Sequence, residues 1–350
     1  MRLRPTLPEL GTTCLTLVIA AIGAGIARLL HFPAPELTGP ALSVTLAGLT
    51  GLRLDVMPLV RAGAFLVVGV GLGSIVTTET TSALTRWPLA FVMLTVSLIV
   101  TMALCQLVLR RVFGLDRRAA VLASAPGHLS YVISLAASLD IDMTRVTIVQ
   151  SLRLLTMSIL VPLLAVLFGI DVTLAAVSSN APLPAFALLA ILVISGAAGW
   201  GLARLHMPAA LMIGAMVTSG LAHGFGVVEG GLSPTVATLG FLVLGALIGT
   251  RFSGVSRGDV TRAMGAGLAT TVIGCVVAAL AAIPVAAWLG MPTLGIVSAF
   301  APGGFEMMIA LGAALGANPG LLAACHLGRL LILTVLVPLF LARARKAAAA

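Results

Sequence analysis

Seven stretches, residues 12–30, 57–76, 87–109, 146–168, 184–205, 265–289 and 321–341, are apolar over about the length that crosses a bilayer. That many such runs cannot be hidden inside a water-soluble core of a 350-residue chain. In lipid every backbone N–H and C=O must find an internal partner, and runs this long do so as helices. The rest of the composition agrees: 60% of the residues are hydrophobic and only 9% charged, against about a quarter charged in a soluble domain. The expected class is an all-α polytopic membrane protein whose first partner is the lipid bilayer. The formal charge of +9 does not point to nucleic acid, because the 20 basic residues lie mostly at the ends of apolar runs, where the positive-inside rule places them. Cys14, Cys105, Cys275 and Cys325 all lie in apolar runs without a CxxC spacing, and read as small buried hydrophobes rather than disulfides or metal ligands. The run 12–30 is long enough to span and lacks a clear cleavage site, so it reads as a retained helix rather than a signal peptide.

Two places break this pattern. Ala125-Pro126-Gly127-His128 is followed by the short run 129–139, with Ser130 near its start, and then by Arg153 inside the run 146–168. Ala301-Pro302-Gly303-Gly304-Phe305-Glu306 is followed by the run 305–315, and then by His326 and Arg329 inside 321–341. Proline suits the start of a helix, where its missing N–H is unpaired anyway, and glycine lets the backbone turn and a ligand approach. A half-helix beginning after each Pro-Gly would turn free N–H groups and a positive dipole end inward. Intramembrane charges are functional candidates by default. The candidate substrate or ion site is therefore Pro126, Gly127, His128, Ser130, Arg153, Pro302, Gly303, Gly304, Glu306, His326 and Arg329.

The two breaks are copies. His31 and Pro33 match His206 and Pro208 at 206 − 31 = 175. Phe65-Leu66-Val67 matches Phe241-Leu242-Val243 at 241 − 65 = 176, and Pro126-Gly127, Arg153-Leu154-Leu155 and Leu160-Val161-Pro162 match Pro302-Gly303, Arg329-Leu330-Leu331 and Leu336-Val337-Pro338 at the same 176. The chain thus reads as two membrane repeats, 1–175 and 176–350. Charge sets their relation. With the N-terminus inside, the clusters Arg110–Arg118 and Arg251–Arg262 and the tail Arg343, Arg345, Lys346 all fall inside only if each half has an odd number of spans. The expected architecture is two inverted repeats, each of about five transmembrane helices with a Pro-Gly broken or re-entrant pair, as in antiporter-like transporters. Whether each pair is re-entrant or spans is left open by the sequence.

Each candidate also has a structural reading. Glu306 in a first helical turn complements the dipole, or it takes up the proton or cation that drives transport. Arg153 and Arg329 either pin helix C-terminal carbonyls or bind substrate. Asp140 and Asp142, opposite Gly316 and Asn318 in the other repeat, read as caps or loop residues for the helix starting near Met143. His31 and His206 read as interfacial, while His128 and His326 either relay protons or are satisfied buried imidazoles. Gly69, Gly71, Gly73, Gly245 and Gly249 read as packing notches between helices.

The two Ala-Pro-Gly elements, the Arg-Leu-Leu that follows each, and the whole-length duplication resemble the AbrB family of bacterial membrane proteins, which is distinct from the small DNA-binding regulators of the same name. The resemblance covers nearly the entire chain. It implies a duplicated inner-membrane protein grouped by fold with cation/proton antiporters and bile-acid-type symporters. Family members often carry an ammonia-monooxygenase label, and one branch is described as a regulator of gene expression. Members commonly carry Gly-Gly and Glu in both halves; here Gly127-His128 and Ser130 depart from that pattern, which argues against a two-carboxylate mechanism.

The leading expectation is a secondary transporter of a small solute, such as an organic anion, in a bacterial inner membrane with both termini cytoplasmic; a homodimer is compatible with it. The alternative is a membrane protein that influences gene expression indirectly. An oxygenase is disfavoured, because five scattered histidines offer no metal cluster. No enzyme activity, cofactor or metal is therefore expected.

Overall fold

The computed structural model describes residues 7–75, 87–127, 132, 143–167, 181–205, 207 and 209–349. His128, Ser130, Asp140, Asp142 and His206 lie outside the described residues, as does the side chain of Glu306. The described elements are helical: α1 (Leu7–Leu29), α2 (Pro35–Leu49), α3 (Pro58–Gly73), α4 (Pro88–Arg111), α5 (Arg117–Ser124), α6 (Met143–Leu167), α7 (Ala185–Arg204), α8 (Ala210–Gly224), α9 (Pro234–Gly249), a 3-10 turn (Thr250–Phe252), α10 (Arg257–Leu289), α11 (Thr293–Phe300), α12 (Phe305–Ala314) and α13 (Pro319–Ala349). Seven of them, α1, α4, α6, α7, α9 with its 3-10 turn, α10 and α13, are long and apolar enough to cross a membrane. The chain is an all-α polytopic membrane protein.

Helix starts follow the local chemistry. Proline opens α2, α3, α4, α9 and α13, where its fixed φ is preorganised and no donor is lost. Asp116, Ser233 and Ser256 cap α5, α9 and α10 by accepting from backbone N–H groups of the first turn. Asn318 Oδ1 accepts from the N–H groups of Gly320 and Leu321 at 2.9 and 3.2 Å, so it caps α13, where the repeat comparison favours a loop. Asn318→Ala is expected to lower stability by about 1 kcal/mol, measured by thermal unfolding in detergent against wild type.

Glycine notches set the packing. A Cβ at Gly69 or Gly73 of α3 would collide with α8 at Ala215 and at Ser219, and one at Gly245 or Gly249 of α9 would collide with α2 at Pro40 and at Val44. In both pairs residue numbers rise together, so α3 runs parallel to α8 and α9 parallel to α2. The loops fix relative direction. Leu54 N donates to Ser253 Oγ at 2.8 Å, Met57 N to Thr13 Oγ1 at 3.0 Å, and Arg257 Nε to Leu49 O at 2.8 Å. Hence α3 begins at the end of the bundle where α9 finishes, although the two helices occupy matching positions 234 − 58 = 176 residues apart. The same end gathers the start of α1, the ends of α2 and α4, and the starts of α6 and α10: Arg145 Nη2 donates to Phe113 O at 2.8 Å, joining the start of α6 to the end of α4, and a Cβ at Gly265 of α10 would fall 2.8 Å from the Phe113 ring. Arg53, Arg61, Arg110, Arg117, Arg145, Arg251 and Arg257 therefore share one face. Arg28 sits at the opposite end, paired with Glu36 at the start of α2.

The helices sort into two groups by contact. One contains α1, α2, α3, α7, α8 and α9; the other contains α4, α5, α6, α10, α11, α12 and α13, and they meet along α2–α6, α3–α12 and α9–α6.

Candidate functional site

The second Pro-Gly element is re-entrant. A Cβ at Gly295, near the start of α11, would fall 2.6 Å from Ala317 Cβ just beyond α12, and one at Gly316 would fall 3.4 Å from Pro292 Cγ just before α11. The two arms thus enter and leave at one end, and Ala301–Gly304 forms the tip. Gly304, which has no side chain of its own to cap with, is the N-cap of α12, and Glu306 is the second residue of that helix. In the first half, α5 ends at Ala125 in extended backbone. Gly127 then takes φ +97, a conformation that L side chains rarely adopt and glycine tolerates.

The two breaks meet. A Cβ at Gly127 would lie 3.7 Å from Arg329 Nε and 3.9 Å from Gly303 O. Arg153 Nη2 donates to Ala125 O at 3.2 Å, and Arg153 Nε donates to Pro302 O at 3.2 Å. Arg329 Nη1 donates to Ala301 O. Both arginines are almost fully buried, at 2% and 1% exposure. Each holds the carbonyl 28 residues before it, which is the C-cap carbonyl of α5 or α11. A cation there answers the negative end of the helix dipole and satisfies a carbonyl that lipid would leave unpaired. Among the described hydrogen bonds of the two arginines, the one from Arg153 Nε to Pro302 O crosses to the other half. Arg329 Nε, which would make the mirrored bond, is buried without a hydrogen-bond partner. The arginines therefore act as pins on hairpin backbone. Pro302 rests on α10, where a Cβ at Gly274 would fall 2.5 Å from its Cγ.

His326 is buried in α13, with Nδ1 3.0 Å from Leu322 O, one turn back in its own helix. The sequence candidates Gly127, Arg153, Pro302, Gly303 and Arg329 thus come together directly, with Pro126 beside Gly127 in the chain.

A cavity of about 400 Å³ reaches Gly304 from the basic end of the bundle. Its walls come from both helix groups: Arg61 and Phe65 of α3, Leu244, Leu247 and Ile248 of α9, Thr250 and Arg251 of the 3-10 turn, and Leu154 and Ser158 of α6. Along α6, Leu154 lies about 14 Å past Arg145 at 1.5 Å per residue, roughly half the hydrocarbon thickness. Ser158 Oγ is committed to Leu154 O at 2.7 Å. Arg61 is loosely paired with Asp55 at 3.7 Å. Sequence reasoning missed Arg61 and Arg251. Their positions 176 residues away carry Ala237 and Ile75, so a search for symmetric charges passes over them. The available signal was Arg61 itself, a charge inside the run 57–76.

A helical membrane bundle built around a re-entrant hairpin, with buried arginines on its backbone and an aqueous-sized cavity reaching its tip, is the class that fold and site define. The chain belongs to the AbrB family: the family model described as Transition state regulatory protein AbrB matches residues 37–345. It is similar to YhjN of Bacillus subtilis (strain 168), described as an uncharacterized protein, with 27% identity over 292 residues, covering 79% of this chain and 76% of the relative.

Proposed function

We propose that this protein is a secondary transporter of a small solute, an organic anion being the best fit, and that its site lies at the hairpin junction. The observation that carries the reading is the cavity that runs from the basic face to Gly304, the glycine N-cap at which α12 begins, at about mid-membrane depth. Broken helices meeting at the midplane between two oppositely directed halves are the ordinary construction of such transporters. The opposed directions of α3 and α9, and the matched pinning of Ala125 and Ala301 by Arg153 and Arg329, support reading residues 1–175 and 176–350 as inverted repeats. Under the positive-inside rule the basic face is cytoplasmic, which puts both termini there, in a bacterial inner membrane. Arg61 and Arg251 attract the anion, the apolar walls hold its body, and the end of α12 receives its charge. Glu306, two residues past Gly304, is the candidate for a coupled proton or cation.

The test is flux into proteoliposomes, with succinate, benzoate, methylammonium and sodium as probes under imposed gradients. Saturable, gradient-driven movement of a carboxylate is expected, with Glu306→Gln uncoupling it from the driving ion and Arg329→Ala reducing it. Absence of gradient-dependent movement for every probe would sink the reading. The family description names regulation, and such a role here would act through the transported solute. Transcript profiles of a deletion strain with and without candidate solutes separate the two: a change that ignores every solute would favour regulation independent of transport. The proposal includes no enzymatic step, and stoichiometric copper or iron in purified protein would overturn that part.

A further inference from the structure

An imidazole whose two nitrogens both face carbonyl oxygens needs two protons, and His223 is placed in that way. It sits in the last turn of α8, half-buried, with Nδ1 2.7 Å from Ser219 O and Nε2 2.8 Å from Gly230 O. A carbonyl only accepts, and a neutral imidazole carries a single N–H. The Ser219 hydroxyl, 3.3 Å from Nδ1, is committed elsewhere, since it donates to Val70 O of α3 at 2.7 Å. Both short contacts are therefore hydrogen bonds at once only in the imidazolium form. Its charge also answers the negative end of the α8 dipole.

The two carbonyls differ in what they can do when one proton leaves. Ser219 O belongs to the helix, one turn back from His223, and cannot withdraw from Nδ1. Gly230 O belongs to the loop between α8 and α9, and it can. The remaining proton thus stays on Nδ1, and the loop is what comes free. That loop is also held by a parallel bridge, in which Leu183 N donates to Gly231 O at 2.9 Å and Gly231 N donates to Ala181 O at 3.1 Å. Gly230 takes φ +107 there, so close to Ala181 O that a Cβ would fall 2.6 Å from it. The loop leads through the Ser233 cap into α9, which lines the first cavity at its other end. We propose that His223 is a pH-operated latch on the face opposite the basic one: as the imidazolium it fastens the loop ahead of α9 to the end of α8, and as the neutral ring it releases that loop. Few other charges bear on it among the described residues. The helices packed against α8 are α3 and α7; they carry Arg61 and Arg204, both at the far end of α8, while the segment 181–183 and α9 carry no titratable group. The loop itself carries Glu229, exposed beside Gly230. The latch does not depend on the transport reading.

Hydrogen–deuterium exchange of the full chain in nanodiscs, with each rate corrected for the intrinsic pH dependence of amide exchange, tests the latch. The probes are the Gly231 and Leu183 amides of the bridge and the Val227 and Val228 amides, which donate to Ala222 O. In wild type their protection is expected to rise about tenfold from about pH 8 to about pH 5. The Leu115 amide, bonded to Leu109 O on the basic face, should keep one protection throughout, which separates the latch from a change in overall stability. His223→Gln, which cannot change its charge, should show equal loop protection at both pH values. His223→Arg, charged at both, should hold the loop closed at the alkaline end, and Glu229→Gln should behave as wild type. A wild-type loop that ignores pH, a pH response that survives in His223→Gln or disappears in Glu229→Gln, or a His223→Arg loop as open as wild type at the alkaline end would each overturn the proposal.

Discussion

Arg153→Met is expected to lower the unfolding free energy by about 3 kcal/mol and to abolish flux, whereas Arg329→Lys should be tolerated. Arg153 makes two hydrogen bonds from a charged donor, to Ala125 O and Pro302 O, each worth about 1.5–3 kcal/mol. Removing a buried cation relieves some desolvation cost, which keeps the net below the full sum. Two carbonyls then lose the donor that Arg153 supplied, one at the tip of the hairpin and one at the end of α5. Arg153→Lys should recover only part of the loss, because an ammonium is a point donor and cannot span both carbonyls as the guanidinium fork does. At Arg329 the comparison inverts. Its one described hydrogen bond runs from Nη1 to Ala301 O, and Nε has no partner, so a lysine can reproduce what the arginine does. Thermal unfolding in nanodiscs, run on all three variants with flux measured in parallel, checks the ranking. Equal sensitivity of the two positions to lysine would mean that the crossed bond to Pro302 carries little.

The sequence made much of this junction readable, for physical reasons. Lipid forces spans to be long and apolar, so their positions stand out. Proline and glycine mark a helix start and a turn by their own backbone chemistry, and α12 indeed begins at Phe305, directly after Gly304. A buried arginine is costly enough to announce itself, whereas the cap at Asn318 reads as a turn until its bonds to Gly320 N and Leu321 N are in place. What stayed hidden depends on elements far apart in the chain. Arg153 and Pro302 are 302 − 153 = 149 residues apart, and no local pattern says that one half will pin the other. The re-entrant geometry of α11 and α12 rests on Gly295 meeting Ala317 and Pro292 meeting Gly316, contacts whose small size reveals nothing until they are placed together. Arg61 and Arg251 sit near helix ends, where a basic residue is expected from membrane topology alone; only the cavity between them gives them a second role.

Gly274→Val is expected to stop flux while leaving the bundle assembled, because it strikes the hairpin tip from the opposite side. The first added carbon would lie 2.5 Å from Pro302 Cγ and 3.3 Å from its Cδ. A proline ring has no rotamer with which to retreat, so the backbone of the tip must move. Overpacking of this kind costs about 1–3 kcal/mol, offset in part by the roughly 1 kcal/mol by which a helical glycine is the poorer helix former. Gly274→Ala, which adds only that carbon, should show the same effect at smaller size. The displaced tip carries Pro302 O away from Arg153 Nε. The Gly274→Val and Arg153→Met losses should therefore overlap: the double variant should be less destabilised than the two single effects added. Gly25→Ala supplies the control, since a Cβ there on α1 meets nothing within 4 Å, and it should leave flux intact and stability equal or slightly raised. Full additivity between Gly274→Val and Arg153→Met would place the damage somewhere other than the shared tip, and unchanged flux in Gly274→Val would separate the hairpin from transport altogether.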